Sequence, residues 1–219
     1  MADKPKIASL FASPLAEFHH PDPVKLNREL AALFRARATE GDRYRNRLMT
    51  AGKNGLFESE FDLFKWPEAC VQRLRGFCFD ALVATVAELG NMPIAQVRSL
   101  KLLDDTWFHI TRTGGYTTAH VHSLASWSGV YCVEPGEVPA DAPDSGILRF
   151  FDPRAGASMY LDPGNASLVH PFSFNMINLR LKAGQLVLFP SFLQHEVAPF
   201  AGRDERITVA FNVAFRAGQ

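Results

Sequence analysis

The segment GGYTTAHVHSLASWSGVYCV, residues 114–133, contains two histidines, His120 and His122, separated by a single residue. In a β-strand, side chains two positions apart point to the same face, so an extended segment would bring both imidazoles to one point. Gly114 and Gly115 precede the pair and are predicted to form a turn. In a chain with 7 histidines, such a spacing arises easily by chance, and a metal site needs a third ligand.

A candidate third ligand follows a second strand-like run. In GQLVLFPSFLQHEVAPF, residues 184–200, an apolar run is stopped by a proline and His195 follows after a short turn. A rolled antiparallel barrel can place strands that are distant in sequence side by side. Three imidazoles on one side of an ion would leave the opposite positions open, as in catalytic metal sites. The predicted ligands are His120, His122 and His195, whereas the remaining histidines fit less well: His19, His20, His109 and His170.

The order of the elements indicates a mainly β fold with flanking helices. Segments 22–40 and 66–90 have apolar residues at helical spacing, and the polar, glycine-containing stretch between them is predicted to be a loop. After residue 97, short strand-like runs alternate with turns, which is typical of a jelly-roll barrel. We therefore predict a single domain, 1–219. In it, residues 1–97 provide an N-terminal strand and supporting helices that cover one face of a barrel formed by residues 98–219.

The composition excludes several classes of partner. The 23 Lys and Arg residues balance 23 Asp and Glu residues, so we expect no nucleic-acid or membrane partner. No apolar run approaches the ~18 residues of a membrane span, and the N-terminal stretch lacks the layout of a secretory signal. The three cysteines follow no metal or disulfide spacing, which favours buried, reduced thiols in a cytoplasmic protein. A homodimer is among the candidate partners.

The last strand-like segment, RITVAFNVAF, has a polar face. Four residues share it: Arg206, Thr208, Ala210 and Asn212. Arg and Thr are costly in a solid core because buried polar groups must be paired. Two interpretations remain open from the pattern. The face lines a pocket for a carboxylate, which a guanidinium binds through two parallel hydrogen bonds, or it is exposed and Arg206 pairs with Asp204 or Glu205.

The blocks HVH, SGILRFFDPR and LKAGQLVLFPSFLQHEVAPFAGRDERITVAFN resemble the prolyl-hydroxylase-like branch of the Fe(II)- and 2-oxoglutarate-dependent oxygenases. The resemblance is greatest to a bacterial group with an HxH pair followed by an SGVY-like strand. It covers residues 98–215 and implies a double-stranded β-helix, a cupin-like jelly roll, with supporting helices. The family binds iron through an H-x-D/E pair and a distal histidine. It holds the distal carboxylate of 2-oxoglutarate with an Arg-x-Ser/Thr pair.

The resemblance implies Fe(II) and 2-oxoglutarate as cofactors and assigns roles to individual residues. His120 corresponds to the first ligand and His195 to the distal one. Arg206 and Thr208 correspond to the pair that binds 2-oxoglutarate. Tyr131 lies where the family often places an aromatic hydroxyl near 2-oxoglutarate, although a tyrosine in a core strand is an equal explanation.

The chain departs from the family at His122, which replaces the metal-binding carboxylate. Either three histidines hold the ion, an arrangement similar to that of cupin-type thiol dioxygenases, or a carboxylate of Glu196 or Asp152 takes the place of His122. The leading hypothesis is 2-oxoglutarate-dependent hydroxylation of an unidentified small-molecule or peptide substrate. The alternatives are a three-histidine dioxygenase that does not use 2-oxoglutarate, and a cupin-like metal-binding or sensing module. Trp127 and Arg154 are candidates for a substrate pocket, against core packing and a surface turn, respectively.

Overall fold

The computed structural model describes residues 4–47, 52–174 and 176–218. Three α-helices lie in this part of the chain: α1 (Pro23–Thr39), α2 (Ala69–Gly90) and α3 (Ile94–Arg98). The nine strands found there are β1 (Ala16–His19), β2 (Lys53–Glu58), β3 (Lys101–His120), β4 (Trp127–Glu134), β5 (Leu148–Phe150), β6 (Ile177–Leu179), β7 (Gln185–Pro190), β8 (His195–Val197) and β9 (Arg206–Arg216).

The strands form one antiparallel sheet in the order β1-β7-β4-β9-β3-β8-β5-β6, and β2 pairs with the other edge of β3. Strand β3 is long enough to serve two partners. Its first half pairs with β9 from Lys101 to Thr111, and its end pairs with β8, where His120 lies opposite His195. The sheet therefore rolls over, and β8 and β5 face β4 and β9 across a common interior. The predicted class, a mainly β jelly roll with flanking helices, is confirmed.

The two long helices cover the outer face of the sheet. Helix α1 begins after Asp22 with a proline in its first turn and buries Leu26, Leu30 and Phe34. Helix α2 buries an apolar stripe and ends in a left-handed residue, Asn91. The ring of Phe34 stacks on that of Phe108 in β3 at 4.2 Å, so helix and sheet share one core. Both helices lie where the apolar spacing predicted them.

Two local predictions are corrected near β2. This strand lies in the stretch predicted to be a loop, of which residues 48–51 are outside the described residues. Gly114 and Gly115 lie inside β3 and do not end it. Gly114 has a φ of +81°, and a Cβ on Gly115 would lie 2.6 Å from the carbonyl oxygen of Gly55 in β2. These glycines allow an irregular, close strand pairing, as at a β-bulge.

The three cysteines, Cys70, Cys78 and Cys132, are buried and unpaired, as predicted. Burial raises the pKa of each thiol, to about 11 for Cys132. These residues are therefore packed as small apolar groups in protonated form. None of the helices in the described ranges is both long and apolar enough to cross a bilayer.

Candidate metal centre and adjoining cavity

The structure brings the three predicted histidine ligands together. His120 ends β3 and His195 begins β8, directly opposite it. His122 lies two residues beyond β3, where its backbone N–H donates to the carbonyl of Ser191 at 3.0 Å. One ring nitrogen from each histidine lies within 4.8 Å of the others. Such spacing lets three imidazoles coordinate one ion.

The hydrogen bonds of two of these rings fix which nitrogen is free. The Nδ1 atom of His120 lies 2.8 Å from the Thr118 carbonyl, and that of His195 lies 2.8 Å from the Leu193 carbonyl. A carbonyl can only accept, so in both rings Nδ1 carries the proton and Nε2 keeps its lone pair. Backbone carbonyls orient metal-binding histidines in this way in many proteins.

The three imidazoles are neutral near pH 7. Burial lowers the pKa of His120, and burial with the neighbouring imidazoles lowers the pKa of His122 to about 3 and of His195 to about 4. Metal ions bind the unprotonated ring, so protons do not compete for these sites at neutral pH. The donor set fits a divalent transition metal such as iron.

The two carboxylates considered as replacements for His122 have other partners. Glu196 accepts from Arg149 at 3.3 Å, and Asp152 forms an ion pair with Arg154 at 2.6 Å. Within the described ranges, the cluster that could hold a metal contains the three histidines and no carboxylate. The structure therefore does not support a ligand role for Glu196 or Asp152.

The polar face of β9 lines the same cavity as the histidines, and all four of its predicted residues lie there. Arg206 is only 4% exposed, and its Nη1 lies 3.5 Å from Thr208 Oγ1. The alternative of surface pairing is wrong, because Glu205 pairs with Arg35 and Arg112. The other proposed partner, Asp204, accepts from the backbone N–H of Glu137.

Arg206 is a buried cation without a carboxylate partner among the described residues. Burial lowers its pKa, and none of the described carboxylates lies within ion-pair distance of it. An unpaired buried charge is costly, whereas an anionic ligand would compensate it through charge-assisted hydrogen bonds. Arg206 and the Thr208 hydroxyl therefore fit the distal carboxylate of 2-oxoglutarate.

The prediction that Tyr131 contacts 2-oxoglutarate is contradicted by its position. Side chains alternate along β4, and Ser128 and Val130 line the cavity while Tyr131 points to the opposite face. Tyr131 is fully buried under the helices, and its hydroxyl donates to Asn27 Oδ1 at 2.7 Å. Trp127 shares that face and packs half-buried against the same core, so it does not line the cavity either.

Arg154, the second candidate for a substrate pocket, lies on the surface between β5 and β6. Its guanidinium pairs with Asp152 and donates to the Ser173 carbonyl at 2.5 Å. It also lies over the ring of Phe174, at 5.7 Å from the ring centroid. These contacts organise a surface loop, and Arg154 does not line the cavity of the three histidines.

The cavity also contains polar residues that the sequence did not reveal: Lys53, Trp107, His109, Thr117 and Ser128. Behind them lies a buried carboxylate, Glu58, which accepts from His109 Nε2 at 2.6 Å and from Lys53. Burial raises the pKa of the Glu58 carboxyl, but the hydrogen bonds and charges of His109 and Lys53 outweigh burial and lower it to about 2.

His109 had a usable signal in the sequence. It lies two residues after Trp107 in β3, on the same face of the strand, and it pairs with Thr208 of β9. The inward face of β9 thus predicts an inward face of β3 once the two strands are paired. Lys53 had no such signal, because its strand was predicted to be a loop.

Comparison with known proteins places the chain in a family. Residues 105–212 match the family model described as "Putative 2OG-Fe(II) oxygenase". A search of curated proteins found no match.

Solved structures share the fold at low sequence identity. A prolyl-4-hydroxylase of Pseudomonas putida has a TM-score of 0.64 at 20% identity, over 93% of this chain and 94% of that one. A Trichoplax adhaerens prolyl hydroxylase, in complex with a hypoxia inducible factor peptide fragment, has a TM-score of 0.61 at 13% identity, over 91% of this chain and 83% of that one. HygX from Streptomyces hygroscopicus, with nickel, 2-oxoglutarate and hygromycin B bound, has a TM-score of 0.57 at 13% identity, over 92% of this chain and 83% of that one.

The fold is therefore the double-stranded β-helix of 2-oxoglutarate oxygenases. The chain belongs to the 2OG-Fe(II) oxygenase family through residues 105–212, which include the three histidines and the pair Arg206 and Thr208. The predicted enzyme class and its cofactors, Fe(II) and 2-oxoglutarate, are those of this family.

Proposed function

We propose that the chain hydroxylates a small-molecule or peptide substrate with Fe(II) and 2-oxoglutarate, and that His120, His122 and His195 are its iron ligands. Arg206 and Thr208 bind the distal carboxylate of 2-oxoglutarate. One observation carries this proposal: three neutral imidazoles line the same cavity as a buried guanidinium that has no carboxylate partner among the described residues.

Each residue has a defined task in this proposal. The Nε2 atoms of His120 and His195 offer their lone pairs because backbone carbonyls hold both Nδ1 protons. The Arg206 guanidinium and the Thr208 hydroxyl donate to the distal carboxylate and so orient the keto-acid end towards the histidines. The apolar walls, which include Leu148, Phe189 and Val197, limit access of water. Iron with 2-oxoglutarate supplies the oxygen chemistry.

The test is an anaerobic titration of the full chain with Fe(II), followed by 2-oxoglutarate. A saturable visible charge-transfer band is expected, because the keto-acid end would chelate the iron while Arg206 holds the other end. Succinate, which lacks the keto group, serves as the control and should give no band. Iron binding without a band on addition of 2-oxoglutarate contradicts the proposal.

The all-histidine ligand set favours one second candidate, a dioxygenase that binds its substrate directly to iron without 2-oxoglutarate. Its motivating observation is the absence of a carboxylate from the cluster formed by described residues. Oxygen consumption that depends on 2-oxoglutarate supports the first candidate. Iron binding without that dependence supports the second.

We also propose that residues 1–97 and 98–219 form one domain. The main core cluster contains Leu30 from α1, Leu74 from α2 and Phe211 from β9. Removal of residues 1–97 should therefore expose the outer face of the sheet and leave 98–219 unable to fold. A folded, monomeric fragment 98–219 would contradict the single domain.

Three buried free thiols fit a reducing compartment, and we propose that the protein is cytoplasmic.

A further inference from the structure

The two cationic side chains of the cavity wall have different partners. Two cationic residues line the cavity, Lys53 and Arg206, and no carboxylate does so among the described residues. Arg206 has a proposed ligand, the distal carboxylate of 2-oxoglutarate. Lys53 has none in the proposed function.

Lys53 lies on β2, opposite Thr117 of β3, at the end of the cavity close to the metal ligands. Its side chain is 17% exposed, and it lines the cavity together with His120 and His122. A group bound at Lys53 would therefore lie beside the metal ligands.

Glu58, which does not line the cavity itself, forms an ion pair with the Lys53 ammonium. Its carboxylate accepts from Lys53 and His109, and its other oxygen accepts from Asn46 at 2.8 Å. An ammonium carries three donor hydrogens, so the bond to Glu58 leaves Lys53 able to donate to a ligand. Glu58 is thus suited to fix the direction of the Lys53 side chain.

A charge count of the loaded site also indicates an anionic ligand. Iron(II) and the Arg206 guanidinium are positive, the three imidazoles are neutral, and 2-oxoglutarate is a dianion. Lys53 and Glu58 cancel each other. Because His122 stands in place of a carboxylate, one positive charge remains in the cavity. Buried net charge is unfavourable unless an opposite charge pairs with it.

We propose that the substrate of this site is a small anion, with a carboxylate or phosphate group that is bound by Lys53. Glu58 acts as a positioning residue for Lys53. This inference rests on the proposed function and adds the class of substrate to it.

The test measures ligand binding without turnover. The full chain, loaded anaerobically with Fe(II) and saturating 2-oxoglutarate, is titrated with acetate, with inorganic phosphate and with acetamide, the neutral analogue of acetate. Acetate is expected to perturb the charge-transfer band at millimolar concentration, and acetamide is not. A response to phosphate instead of acetate, with the same dependence on Lys53, supports an anionic substrate of the phosphate class.

Variants separate Lys53 from other sources of anion binding. Lys53→Met should weaken acetate binding at least 10-fold and leave the affinity for 2-oxoglutarate within about two-fold, a loss of about 1.4 kcal/mol or more for acetate. Lys53→Arg keeps the charge and should retain binding. Lys101→Met, at the exposed start of β3, is the matched control.

Lys53→Met leaves Glu58 without one of its partners. The double variant with Glu58→Gln therefore provides a second test, in which a neutral amide replaces that carboxylate. Equal effects of acetate and acetamide overturn the inference, as does unchanged acetate binding in a folded Lys53→Met protein. So does a wild-type complex that forms the band but responds to none of the anions. If the wild type forms no band at all, the proposed function itself fails.

Discussion

The two faces of the sheet formed by β3, β4 and β9 consist of the same strands but have opposite chemistry. On the face under the helices, Phe108, Ile110, Val209 and Phe211 are fully buried in an apolar core. On the inner face, their immediate neighbours in the chain include an imidazole, a hydroxyl and a carboxamide (His109, Thr208 and Asn212), and the guanidinium of Arg206 follows the same alternation. The outer face stabilises the fold, whereas the inner face holds polar groups whose partners are ligands. Mutations on the two faces should therefore affect different measurements.

The largest effect is expected on the outer face. Phe108→Ala removes a ring that stacks between Phe34 and Phe57, and should lower the free energy of unfolding by about 3–5 kcal/mol. Urea denaturation of the metal-free protein measures it. Phe192→Ala, at a residue that is 61% exposed, is the matched control and should change stability by about 0.5 kcal/mol or less. A small loss of stability in Phe108→Ala would contradict the role of the outer face in stabilising the fold.

Glu58 tests whether a buried charge near the inner face also contributes to stability. Its pKa is lowered to about 2 in the fold, below that of the unfolded chain, so its contribution is present above about pH 4.5 and is lost as the pH falls towards 2. The shift corresponds to a contribution on the order of 3 kcal/mol. The stability difference between wild type and Glu58→Gln should shrink by that amount from pH 5 to pH 2. A constant difference would show that Glu58 is not held ionised by its partners.

His195→Ala should affect metal affinity far more than stability. Loss of one of three ligands is expected to weaken Fe(II) binding by about 100-fold or more, beyond the 10–100-fold typical of residues that only orient a ligand. Anaerobic calorimetry measures the affinity, and urea denaturation of the metal-free protein should change little. His19→Ala, in the exposed part of β1, is the control. Unchanged iron affinity in His195→Ala would contradict the proposed three-histidine centre.

Arg206→Met should weaken 2-oxoglutarate binding by about 10–100-fold, the equivalent of one strong charge-assisted pair, without loss of iron. The stability of the free protein should hold or rise, because an unpaired buried charge is removed. The charge-transfer titration gives both affinities. Arg203→Met, in the exposed turn before β9, is the control. Equal 2-oxoglutarate affinity in wild type and Arg206→Met would refute the role of Arg206.

The smallest effect is expected at Tyr131. Tyr131→Phe removes the hydrogen bond to Asn27 and should cost about 1 kcal/mol of stability. Its affinity for 2-oxoglutarate should not change, because the hydroxyl lies on the outer face. A clear loss of 2-oxoglutarate affinity would restore the role implied by the family resemblance and contradict the position described above.

The sequence predicted those features that depend on regular periodicity. Helical spacing located α1 and α2, and the period of two along RITVAFNVAF placed Arg206 and Thr208 on one face. The same period grouped His120 with His122, and the proline-stopped strand pointed to His195. The helices and the faces of single strands follow from one element and its own repeat. Joining His195 to the pair also needed the property of a rolled barrel that distant strands lie side by side.

The missed features depend on strand pairing. Strand β2 contains Lys53, Gly55 and Glu58, and this polar segment carries no apolar repeat, because its inner face meets a polar cavity wall. The role of Tyr131 near 2-oxoglutarate came from the family resemblance, and the pattern of β4 could not decide between that role and a core position because both faces of the strand are mainly apolar. Only the pairing of Tyr131 with Val209 and Leu186 settles which of the two faces lies under the helices.

The carbonyls of Thr118 and Leu193 accept hydrogen bonds from two of the three imidazoles, so the protein itself orients these rings. Because the chain also has a large apolar core of its own, we expect folding and metal uptake to be separate events, in contrast to small zinc domains that fold only around their ion. A chelator should strip the centre and leave the fold intact. An all-imidazole set follows the general affinity order of divalent metals, in which copper, nickel and zinc exceed iron. The ion that occupies this protein is consequently decided by which metal the cell makes available during loading, and the expression medium decides it in a purified sample.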